Sequence, residues 1–229
     1  MSDNALLLEH ARTGARLPPG EFLIDAPLTL ADGGALRGAP GGSTILRPAQ
    51  PASHVPIINM VSTFPSPADL IYGGLPNYTL LCDLKIIGTG TASGEYGWMV
   101  RGACIRIERV HVTNCHYGGA FVWSVDTAVR DCLLSQNYVN IYINDTITTT
   151  RFSGCNIREA MADGIRLHSG QSVLFDDSII ESNRGVGMVC HGSGIAGIRL
   201  RDVWFENNGV GSLYDPHGLV KREGVTGTH

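Results

Sequence analysis

Apolar residues recur along the second half of the chain at intervals of 22 to 25 residues. One column of aligned positions comprises Val110, Cys132, Cys155, Ser178 and Val203. A second column, two residues further along each repeat, comprises Val112, Leu134, Ile157, Ile180 and Phe205. Because alternate residues of a β-strand face the same side, both columns are predicted to point into one hydrophobic core.

Each repeat contains more than one strand. A third column comprises Ile107, Val129, Phe152, Phe175 and Leu200, and a fourth comprises Ile105, Thr127, Thr150, Val173 and Ile198. The alternation holds within each pair of columns but breaks between the pairs, which predicts a bend. A further apolar patch follows in each repeat: Phe121 with Trp123, Ile141 with Ile143, Ile165 with Leu167, and Met188 with Cys190.

Three short strands per repeat, joined by bends, describe one coil of a β-solenoid. The repeats lack the Leu-x-x-Leu-x-Leu pattern of leucine-rich repeats, and they are shorter than the repeat of about 40 residues that forms a propeller blade. We therefore predict an all-β fold, a right-handed parallel β-helix whose columns stack about 4.8 Å apart. One turn column, rich in Asn, is expected to adopt left-handed backbone and to hydrogen-bond between coils: Cys115, Asn137, Ala160, Asn183 and Asn208.

The two ends of the chain differ from the repeats. Residues 5–13 predict a short helix that covers the first coil, since an open strand edge invites aggregation; docking to a partner protein is the alternative. Strands are predicted at 22–24, 28–30 and 44–46, and a loop at 61–77. The predicted divisions are an N-terminal cap or attachment segment (1–16), the β-helix (17–213) and a C-terminal tail (214–229).

Composition and charge narrow the range of partners. The 229 residues have a net charge of −4 and no cluster of Lys or Arg, so no nucleic-acid partner is expected. No apolar run reaches the length of a membrane span, and the N-terminus lacks the basic segment of a signal peptide. The six cysteines form no Cys-x-x-Cys pair, so neither a metal nor another cofactor is predicted. We expect buried free thiols, with disulfides between coils as the alternative.

The stretch from Leu17 to Leu46 contains LPPGEFLI, PLTL, ALRG and STIL. It resembles the opening of pectate-lyase-like β-helix proteins, and the D-x-x-F-E-x-N pattern of residues 202–208 resembles their later coils. The resemblance covers nearly the whole chain and implies the fold. Because this superfamily includes pectate lyases, polysaccharide hydrolases, mannuronan epimerases and bacteriophage tailspikes, it does not fix the function.

The missing signal peptide and the short length favour the tailspike branch of this superfamily. That branch implies a homotrimer in the virion tail, made in the host cytoplasm, which binds bacterial surface polysaccharide and in some members degrades it. The N-terminal segment would attach to other virion tail proteins. The alternative is a polysaccharide-active enzyme, either a lyase, a glycoside hydrolase or a mannuronan C5-epimerase-like protein, so enzymatic activity is left open.

One column that should point outwards contains several large apolar residues: His111, Leu133, Asn156, Ile179 and Trp204. A contiguous exposed apolar strip usually marks an interface. We therefore predict that subunits meet through His111, Leu133, Ile179 and Trp204. Sugar binding by Trp204 and a loop packed over the strip are the alternatives.

Two glutamates, Glu181 and Glu206, occupy equivalent positions on consecutive coils, with Arg158 on the preceding coil. Cleavage of a glycosidic bond commonly uses two carboxylates about 5–9 Å apart. Glu181 and Glu206 are therefore candidate catalytic residues, and a solvated turn is the alternative.

A second polar cluster is expected on the second strand of the later repeats: Tyr142, Asp145, Asp163, Arg166, His168 and His191. Proton abstraction beside a uronate carboxylate needs a base and a positive partner, so Asp163 and His168 are further catalytic candidates. Tyr142, Arg166 and His191 are the substrate-binding candidates of this cluster. An ordinary polar outer face is the alternative.

The sequence Tyr214-Asp215-Pro216-His217 resembles the Asp-Pro-His motif of mannuronan C5-epimerases. The resemblance implies proton transfer by Asp215 and His217, assisted by Tyr214. Gly218 stands where those enzymes usually carry an acidic residue.

Overall fold

The chain winds into coils whose strands pair in parallel with those of the next coil. The computed structural model describes residues 3–31, 33–51, 55–61, 78–144 and 147–227. It contains the helix α1 (Asn4–Thr13) and a 3-10 turn at Pro40–Gly42. The first strands are β1 (Gly20–Ile24), β2 (Leu28–Leu30), β3 (Ala35–Arg37), β4 (Thr44–Pro48), β5 (Pro56–Val61), β6 (Thr79–Ile87), β7 (Tyr96–Thr113) and β8 (Tyr117–Arg130). The later strands are β9 (Leu133–Ser135), β10 (Val139–Ile143), β11 (Ile147–Ser153), β12 (Asn156–Arg158), β13 (Ile165–Asp176), β14 (Ile179–Glu181), β15 (Val186–Ala196), β16 (Ile198–Arg201), β17 (Trp204–Glu206), β18 (Gly211–Tyr214), β19 (Val220–Glu223) and β20 (Thr226–Gly227).

Three stacks of strands, here called faces A, B and C, form the sides of the helix. Face A consists of β3, β6, β7, β8, β11, β13, β16 and β19. Face B consists of β1, β4, β6, β7, β9, β12, β14, β17 and β20. Face C consists of β2, β5, β7, β8, β10, β13, β15 and β18. The predicted right-handed parallel β-helix is confirmed, with about eight coils.

The predicted core columns are stacked neighbours. In face B, Val112 pairs with Leu134, and the pairing continues through Ile157 and Ile180 to Phe205. The column of face A continues in the same way from Ile107 to Leu200. All these side chains are buried, so a single hydrophobic shaft runs along the helix axis.

Face C departs from the expected alignment at one point. Phe121 pairs with Ile143 rather than Ile141, because Ile141 lies over Gly119. The indole of Trp98 fills the space beside Gly119, where an added Cβ would lie 2.5 Å from its Nε1 atom. The register then shifts between β7 and β8, which places Trp123 opposite Arg101 and leaves it half-buried rather than in the core.

Asparagine side chains tie the coils together at one bend. The side-chain amide of Asn183 donates to the main-chain oxygen of Ile157 at 3.2 Å, and its Oδ1 accepts the Ala160 N–H at 3.0 Å. Asn137 and Asn208 make equivalent bonds to Val112 and Ile180. The left-handed residues, however, are the ones just before this column: Asn114, Gln136, Glu159, Ser182 and Asn207.

The N-terminal helix α1 matches the helix predicted at residues 5–13 and buries Leu7 and Ala11 against the first coils. The three strands predicted for the first coils are present, together with an unpredicted strand at Ala35–Arg37. Except for Val61, the loop predicted at 61–77 lies outside the described residues. No helix in the described ranges has the length and apolar character needed to cross a membrane.

The segment 214–229, expected to be a tail, carries strands as far as Gly227. β19 pairs with β16, and β20 pairs with β17. Arg222 lies over Leu200, while Leu219, Val220 and Val225 pack against the core. These few apolar contacts and the backbone pairing continue the coil through a mostly polar segment.

All six cysteines are buried and free, as expected. Cys132 and Cys155 lie in the core column that also contains Val110. Burial raises the pKa of the Cys190 thiol to about 12, because an apolar environment disfavours the thiolate. The thiols therefore act as small apolar side chains.

Asp176, at a corner of face A, is held between two arginines of neighbouring coils. Its carboxylate accepts hydrogen bonds from Arg151 and, at 2.6 and 2.7 Å, from Arg201. These bonds lower the pKa of Asp176 from 3.8 to about 2. A lowered pKa in the folded state stabilises the fold above the ordinary pKa, and this contribution disappears as the pH falls towards 2.

We expect Asp176→Asn to lower the free energy of unfolding at pH 7 by about 1–3 kcal/mol. The variant should also lose less stability than the wild type between pH 4 and pH 2, as measured by urea unfolding at each pH. Asp177→Asn, the same change at the exposed neighbouring residue, is the control. Equal acid sensitivity in Asp176→Asn and the wild type would contradict this account.

Candidate functional site

The predicted site residues fall on two different faces of the helix. His168 and the substrate-binding candidates near it belong to face C, whereas Glu181 and Glu206 belong to face B. Asp163 lies in the bend between these faces, just before β13. The four catalytic candidates therefore do not form one site.

Face C carries a continuous row of aromatic rings, here called the aromatic ladder: Tyr96, Tyr117, Tyr142, His168, His191 and Tyr214. The ring centroids of successive members are 5.2, 4.5, 5.4, 5.9 and 5.7 Å apart. Each ring comes from the next coil, so the ladder extends over six consecutive coils. Since coils are about 4.8 Å apart, it is about 24 Å long.

The ladder forms although its members are not all register partners. Tyr96 pairs with Tyr117, but Tyr117 pairs with Val139 and Tyr142 pairs with Ala120. The small side chain of Ala120 allows the ring of Tyr142 to lean back onto Tyr117. The result is a row of rings that crosses face C obliquely.

A second group of side chains adjoins the ladder. His116 contacts Tyr117 edge-on at 4.5 Å and stacks on Tyr138 at 4.7 Å. The guanidinium of Arg166 lies 5.8 Å from the centre of the Tyr138 ring. Its Nε donates to Asp163 at 2.6 Å, and the other oxygen of Asp163 accepts the Val186 N–H. The Asp163 carboxylate thus pairs with Arg166 and anchors the next coil.

Protonation states along the ladder follow from its partial burial. The pKa of His168 is below its ordinary value because of desolvation, with smaller effects from His191 and Arg166. Its ring is therefore neutral at pH 7. Desolvation also raises the pKa of the Tyr117 and Tyr142 hydroxyls, which keep their protons. The hydroxyl of Tyr142 donates to Asn144 at 3.0 Å.

Face B brings the two glutamates together. Glu181 and Glu206 are register partners on consecutive coils, and Arg158 is the partner of Glu181 on the other side. Trp204 Nε1 donates to Glu206 at 3.1 Å, and an Nη of Arg158 lies 3.9 Å from Glu181. The two glutamates are thus neighbours on consecutive coils with different partners.

The outward residues of face B form one register column, here called the face B column: His111, Leu133, Asn156, Ile179 and Trp204. Its C-terminal end is the most exposed, with 40% of Ile179 and 45% of Trp204 accessible. At its other end, a groove of about 450 Å³ is lined by residues that include Lys85, Arg109 and His111. His111 contacts Ser135 at 3.1 Å, and its pKa falls to about 4 because of burial and the nearby Lys85 and Arg158.

The Asp-Pro-His segment lies at the C-terminal end of face C. Both oxygens of the Asp215 carboxylate accept main-chain N–H groups, from Leu219 at 3.0 Å and Val220 at 2.9 Å. The ring of Tyr214 continues the aromatic ladder beyond His191. Asp215 therefore holds the turn that leads into the last coil.

Sequence reasoning found Tyr142, His168 and His191 but missed Tyr96, Tyr117 and the adjoining His116 and Tyr138. A spacing of 21 residues between Tyr96, Tyr117 and Tyr138 was the available signal. Asp145 lies outside the described residues. In the part of the chain that the structure describes, no three His, Cys, Asp or Glu side chains converge as metal ligands.

Residues 82–218 match a protein family described as the right-handed beta helix region. The chain belongs to this family. The matched residues form the coils that carry the aromatic ladder and the two glutamates. No curated protein matches the sequence.

Solved structures similar to this β-helix family member include tailspike proteins of phages. The enzymatically active domain of bacteriophage CBA120 tailspike protein 2 has a TM-score of 0.65 at 11% identity, covering 99% of this chain and 41% of that one. The Acinetobacter phage vb_AbaP_AS12 gp42 tailspike has a TM-score of 0.54 at 12% identity, covering 92% of this chain and 43% of that one. The Agl-KA catalytic domain has a TM-score of 0.55 at 13% identity, covering 100% and 51%. At these identities the likeness establishes the fold, and the chain spans about half or less of each neighbour.

Proposed function

We propose that this protein binds a bacterial surface polysaccharide along face C, with the aromatic ladder as its contact surface. The observation that carries the proposal is the unbroken row of six rings on six consecutive coils. A surface about 24 Å long suits a polymer better than a single small molecule. Aromatic rings with a polar tip are well suited to a ligand that offers both apolar and hydroxyl groups.

The proposed setting is a virion tail, in which the chain acts as a homotrimer. The fold likeness to two phage tailspikes supports this setting. The exposed apolar end of the face B column offers a surface for subunit contact. Residues 1–16 would serve as the cap or the attachment to other tail proteins; Leu6 and Leu8 of α1 are exposed there.

The first test is binding of purified capsular and O-antigen polysaccharides by biolayer interferometry. We expect Tyr142→Ala and His168→Ala to weaken binding about 5- to 100-fold, because each removes a contact in the middle of the ladder. Arg199→Ala, an exposed change on face A, should bind like the wild type. Unchanged binding by both ladder variants would overturn the proposal for face C.

The second test concerns the trimer. We expect the wild type to sediment at three times the mass of one chain and Ile179→Asp to sediment as a monomer, because a buried unpaired carboxylate is costly. Val210→Asp is the matched control, since Val210 is more exposed than Ile179 and lies outside the face B column. A wild-type monomer at micromolar concentration would rule out the trimer.

A second candidate function is cleavage of the polysaccharide by Glu181 and Glu206. Their positions on consecutive coils and their separate partners favour an acid and base pair. If face B is buried between subunits, however, a polymer reaches these glutamates only at the subunit boundary. The sedimentation result therefore bears on this candidate as well.

For this candidate we expect Glu206→Gln and Glu181→Gln each to reduce the release of reducing ends or unsaturated uronates by about 100-fold or more. Polysaccharide binding should remain, and Glu21→Gln, a surface change in the first coil, should retain full activity. Absence of any new chain ends from the wild type on every polysaccharide tested would remove cleavage from consideration.

A further inference from the structure

Stacking covers ring faces in part of the aromatic ladder, whereas His168 meets Tyr142 edge-on at 64° and His191 is tilted by 53° against Tyr214. Tyr117 is flanked by Tyr96 and Tyr142, and the angles between the ring planes are 25° and 19°. His168 and His191 are also stacked, at 26°. A sugar ring therefore cannot lie flat on Tyr117, because both faces of that ring already contact an aromatic neighbour. What such a ring offers to solvent is its edge.

The edges carry groups that form hydrogen bonds with hydroxyls. The phenol hydroxyls of Tyr117 and Tyr142 are protonated, and the neutral imidazole of His168 offers one donor and one acceptor. The Tyr142 hydroxyl already donates to Asn144, which leaves its oxygen as an acceptor. Such groups recur about every 4.8 Å, once per coil.

Two charged groups beside the ladder, Arg166 and Asp215, are already paired. Arg166 is in contact with Asp163 at 2.6 Å, so an anionic ligand would have to compete with that carboxylate. The Asp215 carboxylate is held by two main-chain N–H groups. Arg101 in β7 and Arg184 just before β15 are exposed, but their coils are four apart, so these cations occur singly and do not follow the rings coil by coil. No row of cations accompanies the rings in the described part of face C.

We propose that the aromatic ladder selects a neutral, hydroxyl-rich polysaccharide and recognises it through ring edges that hydrogen-bond to sugar hydroxyls, not through stacking on ring faces. This inference rests on the proposed function of face C. It excludes polymers with a carboxylate or phosphate on every repeat as preferred ligands. It also predicts that the phenol hydroxyl matters separately from the ring that carries it.

The experiment compares Tyr→Phe with Tyr→Ala at the same positions. Tyr117→Phe and Tyr142→Phe keep the stack but remove the hydroxyl, and each should weaken binding roughly three- to tenfold. Tyr78→Phe is the matched control, because Tyr78 lies under Arg106 and outside the ladder. The probes are purified bacterial polysaccharides in two groups, neutral ones and ones with a uronate or phosphate in each repeat, tested by biolayer interferometry.

We expect the wild type to bind at least one neutral polymer, with an affinity that does not change when the sodium chloride concentration is raised. Both Tyr→Phe variants should bind that polymer more weakly. Binding confined to the anionic polymers would overturn the inference but leave the proposed function in place. If both Tyr→Phe variants bound with wild-type affinity while Tyr142→Ala lost binding, the inference would again be overturned and the proposed function would stand. Failure to bind any polymer would overturn both.

Discussion

The structure depends on the parallel pairing of each coil with the next. From β7 onward, each strand pairs with residues 21 to 25 positions away, and equivalent apolar residues are thereby brought into contact. In the first coils the separation reaches 45 residues, between Arg37 and Cys82, so it is the pairing and not a fixed coil length that keeps the apolar residues on the shaft. Asn183 and Asp176 reinforce the same register at the bends by bonding to neighbouring coils.

This constraint also shapes the surface. A residue that points outwards from one coil has an outward neighbour about 4.8 Å away on the next, so similar side chains become rows along the helix. On face C this stacking of outward residues produces the row of rings, and on face B it places Glu181 beside Glu206. Extended rows suit an extended ligand, which is the physical basis for assigning a polymer to face C.

The two faces differ in how their aromatic groups are presented. On face C stacking covers both faces of Tyr117 and joins His168 to His191. On face B the exposed Trp204 and Ile179 form an apolar patch with the indole N–H held by Glu206. The proposed polysaccharide contact uses the hydrogen-bonding surface of face C, and the proposed subunit contact uses the apolar surface of face B.

The sequence by itself determined the fold, because a core column such as Val112 to Phe205 repeats at an interval that only stacked coils explain. It also identified the stacked glutamates, whose spacing of 25 residues equals one repeat. Only the tertiary structure decided that the catalytic candidates lie on separate faces and that Tyr117 meets Tyr142. Those rings come together because the small Ala120, the register partner of Tyr142, leaves room for an oblique contact. Such contacts depend on how side chains of different size fit together across the local register, which an alignment of the repeats does not show.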